Sequence, residues 1–351
     1  MTDMARFQYS DLLEFITRLF EVQGLPRADA HRVAENLVLA NLRGVDTHGV
    51  FRAPTYLNRI NEGLNNPRPN IVIEKTAHCA ALVDGDNGMG AVVGTAAMSK
   101  AIELAQTTGL SMVAVKHSTH FGMAAYYVLQ ALEAGLISMV FTNASPAFPP
   151  WGGRQPMFGT SPMAFGVPAG QEKPFVLDMA MSVLARGNVY MAAQAGKSIP
   201  PGLALDRQGN PTTDPNDLLN GGVMLPFGGV KGAALSMLMD VFSGVYTGAA
   251  FAGQVGNPHN DFDRPQDVGH LFVCSRPDLF MPEQIFKDRM DELVRTVKAG
   301  PKAAGVDEIL IPGEREFKTQ AHRLESGIEI AAPVLEALNL QAQRLGVKPL
   351  I

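Results

Sequence analysis

Cysteine is nearly absent from this chain. Cys79 and Cys274 are its only cysteines and stand in no Cys-x-x-Cys or Cys/His spacing, which excludes a disulfide scaffold and fits a reducing, cytoplasmic setting. An excess of basic residues is missing too, and the formal net charge of -5 leaves no electrostatic footprint for nucleic acid. The longest apolar run, Ala233 to Phe251, is interrupted by Asp240 and several glycines. It is expected to be a buried helix, not a membrane span. Met1 to Gln8 lack the basic-then-apolar layout of an export signal and carry no acylation motif, so the protein is expected to stay where it is made. Without secretion, the acceptor triplet Asn143-Ala144-Ser145 has no meaning. There is no internal repeat and no low-complexity segment.

What is present reads as a compact globular protein. The chain has 351 residues, 46% of them hydrophobic and 18% charged, enough to bury a large core and to form two domains. Apolar residues recur at three- and four-residue spacing from Tyr9 to Leu42, with Ser10 and Asp11 available as a cap. Turn formers gather at Asn65-Asn66-Pro67-Arg68-Pro69-Asn70 and mark a boundary. Strands are expected near Ile71 to Ile73, Ala80 to Val83, Ser111 to Val115, Ile137 to Phe141 and Phe175 to Leu177, with helices at Gly94 to Gln106 and Met123 to Ala134. Helical patterns return at Pro282 to Lys298 and again after Pro312-Gly313. The class is therefore α/β or α+β. A mainly helical terminal region, residues 1–70 with 299–351, is expected to flank a sheet-containing region, 71–298.

The segment Asp46-Thr47-His48-Gly49-Val50-Phe51-Arg52 sets an imidazole and a guanidinium four residues apart. A helix entered at Gly49 would bring His48 and Arg52 to one face. Arginine offers a planar fork to a carboxylate and histidine exchanges a proton near neutral pH, which together suit a 2-oxo acid. The same pair also suits a solvated helix face. After one strand candidate, Lys116-His117-Ser118-Thr119-His120-Phe121-Gly122 brings a second acid or base, His120. A metal reading of His117 and His120 is disfavoured, because no further ligand stands near them in sequence. Trp151-Gly152-Gly153 and Phe158-Gly159-Thr160-Ser161-Pro162 supply glycine, proline and hydroxyl groups fit for a pocket wall.

Two glycine-rich turns invite a nucleotide. Leu82-Val83-Asp84-Gly85-Asp86-Asn87-Gly88-Met89-Gly90 imitates a dinucleotide fingerprint, but the third glycine falls late at Gly94 and Lys116-His117 stand where an acidic ribose ligand belongs. A tight strand-to-helix turn accounts for it. Leu225-Pro226-Phe227-Gly228-Gly229-Val230-Lys231-Gly232 joins glycines and one lysine to a helix start. Anion binding and a structural turn are equally open there.

These segments, with Val176-Leu177-Asp178-Met179-Ala180, Ala185-Arg186-Gly187, Pro211-Thr212-Thr213-Asp214-Pro215 and Pro312-Gly313-Glu314, occur in an order that resembles the malate/L-lactate dehydrogenase type 2 family, from about Leu13 to Ala331. That family also holds ureidoglycolate dehydrogenase, 2,3-diketogulonate reductase, sulfolactate dehydrogenase and the cyclic ketimine reductases. The resemblance implies an α/β, α+β-like fold with a largely antiparallel sheet that binds NAD or NADP without a Rossmann unit, in a homodimer. It implies that His48, assisted by the Thr47 hydroxyl, or else His120 handles the proton. By the same resemblance Arg52 holds the substrate carboxylate and Thr160 lines the pocket. The cofactor would rest on Asp178, Met179, Ala180, Val230, Lys231, Gly313, Glu314 and Arg315. No metal, membrane or nucleic acid is implied.

Two departures bear on the substrate. Thr47 stands where the family usually has serine, which keeps the hydroxyl. Asn188 stands where the ketimine reductases have an aspartate, and an amide cannot stabilise an imidazolium by charge. The expectation is therefore a dehydrogenase of a small 2-hydroxy acid, with reduction of cyclic ketimines as the alternative.

Overall fold

The computed structural model describes residues 4–184, 189, 192, 193 and 195–350. The Ala185-Arg186-Gly187 motif and Asn188 lie outside the described residues. The chain opens with strand β1 (Met4–Phe7) and helices α1 (Tyr9–Val22) and α2 (Arg27–Leu42). One periodic run becomes two helices because Gly24 takes a positive φ of 116° and Pro26 sits at the start of the next helix. Leu12, Ile16, Leu19 and Phe20 of α1 are wholly buried, each stabilising the fold by roughly 1.5–3 kcal/mol. After two short turns comes α3 (Ala53–Asn61).

The middle of the chain runs β2 (Val72–Ala77), β3 (Ala80–Asp84), α4 (Gly90–Thr108), β4 (Leu110–Ser118), α5 (Ala125–Glu133), β5 (Ile137–Thr142), β6 (Met163–Val167) and β7 (Phe175–Met179). A small hairpin, β8 (Ala204–Leu205) and β9 (Val223–Met224), encloses α6 (Pro215–Leu219) and leads to α7 (Val230–Asp240). The chain closes with β10 (Val268–Ser275), α8 (Glu283–Lys298), α9 (Glu314–Ser326), β11 (Ile328–Ala331) and α10 (Ala332–Leu345).

The result is mixed α/β with a large, mostly antiparallel sheet. Seven strands lie in the order β2-β3-β4-β10-β5-β6-β7. Only β3 and β4 are parallel neighbours, joined through α4. The central strand β10 was not among the expected strands, nor was β6. Five of the eight residues of β10, from Val268 to Phe272, are buried in succession, so its sequence lacks the alternation that marks a half-exposed strand. Val113, Val115, Val140 and Phe272 pack beneath α4 and α5, while Phe141, Leu271, Phe148 and Met239 fill the opposite side. The two ends of the chain meet where β1 pairs with β11.

The run from Ala233 to Phe251 is not a buried helix throughout. Helix α7 gives way to a π-type turn at Val241–Val245, and Met237, Val245 and Tyr246 are more than half exposed. The turn packs so closely at Gly244 that a Cβ there would meet Phe251 Cβ at 2.7 Å and the Ala250 carbonyl at 2.8 Å. No helix among the described residues is long and apolar enough to cross a membrane.

Candidate active site

His48 and Arg52 do come together, but not on one helix. Asp46–His48 and Val50–Arg52 form separate 3-10 turns divided at Gly49, whose ψ of -157° breaks the helical path. The cause is Asn41, a buried residue of α2. Its Oδ1 accepts from the Val50 amide at 2.8 Å and its Nδ2 donates to Asp46 Oδ1 at 2.7 Å. The side chain fills the space where a Cβ on Gly49 would lie, with Oδ1 at 2.1 Å. Arg323 secures the other side by donating to Asp46 Oδ1 at 2.8 Å and to the Asn41 carbonyl.

Thr47 is the joint of the site. Its hydroxyl lies 3.1 Å from His48 Nδ1, and its carbonyl accepts from Arg52 Nε at 2.8 Å. Arg52 Nη1 also donates to His259 Nε2 at 3.1 Å. Across from His48 stands His120, with ring centroids 5.6 Å apart and planes 17° apart. His120 Nδ1 meets the Tyr56 hydroxyl at 2.5 Å and the Gly122 amide at 3.3 Å. Burial, then the Arg52 charge, drives His48 down to about 3. Burial and the bases around it likewise push His120 well below the ordinary imidazole range. Both rings rest neutral, and an anion placed on Arg52 would ease the repulsion that keeps them so.

Beside this cluster lies a cavity of about 530 Å³ whose walls include Thr47, His48, Thr160, Asp178, Gly313 and Arg315. Asp178 is open to it, yet the protein around the carboxyl withholds water and raises its pKa to about 6, against the pull of the Ala125 amide and Arg43. Ala180 and Arg43 share the wall. Arg43 is 2% exposed, and its Nε and Nη2 have no hydrogen-bond partner among the described residues. Gly313, at a φ of 95°, lets its backbone cross close over β7 at the cavity wall, where a Cβ would come within 2.9 Å of Val176 Cβ. The unspent donors of Arg43 in the wall suit an acceptor-rich dinucleotide.

Several expected residues stand outside that wall. Arg52 and His120 do not line the cavity but adjoin it through Thr47 and His48, and Met179 ends β7 paired with Met163. Glu314 spends its carboxylate on Lys298 Nζ at 2.7 Å and on the Ile311 amide at 2.9 Å. Val230 and Lys231 are exposed at the start of α7, after a loop whose Phe227 amide donates at 3.0 Å to the carbonyl of Met181, the residue following Ala180. The other glycine turn spends its groups on the protein. The Gly90 amide donates to Thr119 Oγ1 at 2.9 Å and the Asn87 amide to the His117 carbonyl at 2.8 Å. His117 pairs with Asp84 at 3.0 Å, and among the described residues no group of three or more His, Cys, Asp or Glu is placed to hold a metal.

Sequence reasoning missed Asn41, Arg43, Tyr56 and His259. Tyr56 follows Arg52 by one helical turn and was within reach of a spacing argument. His259 had no local signal, because the contact spans 207 positions.

The model of the malate/L-lactate dehydrogenase family matches residues 7–339. The chain belongs to that family. It is 39% identical to malate dehydrogenase of Pyrococcus horikoshii over 346 residues, 97% of this chain and 95% of that one. It is 38% identical to L-sulfolactate dehydrogenase of Methanocaldococcus jannaschii, covering 92% of each. Among solved structures, that of the Pyrococcus horikoshii malate dehydrogenase superposes with a TM-score of 0.91 at 37% identity, covering 100% of this chain and 99% of that one.

Proposed function

We propose that this protein is an NAD- or NADP-dependent dehydrogenase of a small 2-hydroxy acid, of malate or lactate type, and that it reduces the matching 2-oxo acid in reverse. The observation that carries the reading is the Thr47 joint, which binds an arginine fork and an imidazole to the two ends of one residue. Arg52 takes the carboxylate through the donors that Thr47 and His259 leave over. Either His48 or His120 exchanges the proton of the 2-oxygen, with Thr47 holding His48, and Thr160 lines the substrate space. A nicotinamide held there would supply or take the hydride at carbon 2. Asp178, Met179, Ala180, Val230, Lys231, Gly313, Glu314 and Arg315 would hold it, in a fold that is not a Rossmann unit. The single parallel strand pair and the occupied Gly90 turn support that last point.

The same proposal covers the assembly and the setting. The protein is a cytoplasmic homodimer, and the exposed apolar side chains of Met237, Val241 and Val245 support a second copy as their cover. Residues 1–70 with 299–351 form one region and 71–298 the other, a division supported by the pairing of β1 with β11. The test follows nicotinamide absorbance with NADH and NADPH, each offered pyruvate, oxaloacetate, other 2-oxo acids and the two cyclic ketimines. Fast oxidation with a 2-oxo acid is expected and names the coenzyme. Turnover confined to the ketimines would replace the hydroxy acid reading with the ketimine one.

A further inference from the structure

The two stacked imidazoles are not equivalent, and the difference lies in what touches each Nδ1. At His120 that nitrogen faces the Gly122 amide at 3.3 Å and the Tyr56 hydroxyl at 2.5 Å. A backbone amide can only donate, so the nitrogen it meets must offer a lone pair. Asn36 packs directly on the backbone that carries this amide. Gly122 holds a φ of 79°, and a Cβ there would lie 1.8 Å from Asn36 Oδ1. Asn36, buried to 1% exposure, pins the same stretch by donating to the Phe121 carbonyl at 3.1 Å. Tyr56 is 5% exposed, and its hydroxyl has its proton to give, because burial raises its pKa.

At His48 the situation is different. The partner of its Nδ1 is the Thr47 hydroxyl at 3.1 Å, a group that donates to a neutral ring and accepts from a charged one. His48 also lines the cavity, and His120 does not. With ring centroids 5.6 Å apart, two imidazolium charges would repel strongly, so the pair takes at most one proton. The titratable and charged groups facing His120 are Arg52, His48, His259 and His270, all bases, together with Tyr56.

We propose that Tyr56 and the Gly122 amide lock His120 as a neutral imidazole with its proton on Nε2, so that His48 is the ring that exchanges the proton with substrate. Tyr56 and His120 are then positioning residues, acting through His48. This assignment rests on the dehydrogenase reading above and decides between the two histidines that the reading leaves open.

The tautomer is read by imidazole nitrogen NMR on the full chain labelled at histidine, with His48→Gln and His120→Gln variants assigning the two rings. An unprotonated Nδ1 at His120 from pH 5 to 8 is expected, with mixed tautomers in Tyr56→Phe. A protonated Nδ1 in the unaltered protein, neutral or charged, would overturn the proposal. Turnover gives the second arm. His48→Gln is expected to lose on the order of 100- to 10,000-fold in kcat, with its pH-dependent limb abolished. His120→Gln should keep that limb. Tyr56→Phe should lose on the order of tenfold in kcat with KM little changed, and its limb should move to lower pH. The reverse pattern, the limb lost with His120 and kept without His48, would overturn the assignment alone. Full turnover in both histidine variants would also overturn the assignment, since neither ring would then carry the proton, while the absence of turnover in the unaltered protein with every 2-oxo acid and either nicotinamide would overturn the dehydrogenase reading instead.

Discussion

Arg52 is held by the residue that holds His48. Its Nε donates to the Thr47 carbonyl at 2.8 Å while the Thr47 hydroxyl sits 3.1 Å from the imidazole. Clamp and proton carrier therefore move as one body. Arg52→Lys keeps a charge but loses the planar fork and the link to Thr47. The expected result is a rise in KM for 2-oxo acids and a fall of about 10- to 100-fold in kcat/KM, the range for a charged hydrogen bond. Steady-state kinetics against the unaltered enzyme check it, and an unchanged KM would remove Arg52 from the clamp.

Asn41 touches no substrate in this scheme, yet it shapes the segment that does. Its side chain satisfies the Val50 amide and Asp46 at once, and it is 3% exposed. Asn41→Ala leaves a buried amide without a partner, at a cost of about 1–3 kcal/mol. Thermal unfolding should show a lowered Tm. A variant that keeps its Tm and its kcat would show that the two 3-10 turns hold without this side chain.

How much of this was legible in the sequence depends on the range of the interaction. Strands β3, β4, β5 and β7 were expected because turn residues bound them and their apolar residues fit a strand period. Strand β10 was not, since a strand buried on both faces has no polar alternation to betray it. His48, Arg52 and His120 were named from local chemistry, and the structure gathers them. The break at Gly49 was not legible, because it depends on Asn41 of the preceding helix, nine positions before the Val50 amide it binds. His259 reaches Arg52 from a loop that no spacing rule connects to it.

Gly313 tests the cofactor side of the proposal. A methyl group there would stand 2.9 Å from Val176 Cβ and 3.0 Å from the Val176 carbonyl, on a backbone at a φ of 95°. The Val176 amide meanwhile donates to the Pro312 carbonyl at 3.0 Å, so the crossing cannot widen without losing that bond. Gly313→Ala should cost about 1–3 kcal/mol in strain and contact and should weaken NADH or NADPH binding. Fluorescence titration of the reduced cofactor reads the affinity, and unfolding in denaturant reads the stability. Lost stability with unchanged affinity would place the cofactor away from this crossing.

Acid should weaken the fold through its histidines. His270, fully buried between Ser118 and Thr142, is lowered by burial from 6.5 to about 3, and His48 is lowered to about 3 as well. Between those values the unfolded chain binds protons that the folded chain refuses, so stability falls as pH drops from 6.5 towards 3. Asp178 works against this. Its pKa is raised from 3.8 to about 6, so the folded chain gains stability as pH falls from 6 towards 3.8. Asp240 is raised by burial as well, but three depressed histidines, His48, His270 and His120, outweigh two raised carboxyls. Below pH 6.5 a wholly buried neutral histidine such as His270 contributes a slope of about 1.4 kcal/mol per pH unit. Urea unfolding from pH 7.5 to 4.5 should show stability falling with acid, and His270→Gln should flatten the fall. A slope of the opposite sign would mean that these rings accept protons in the folded state.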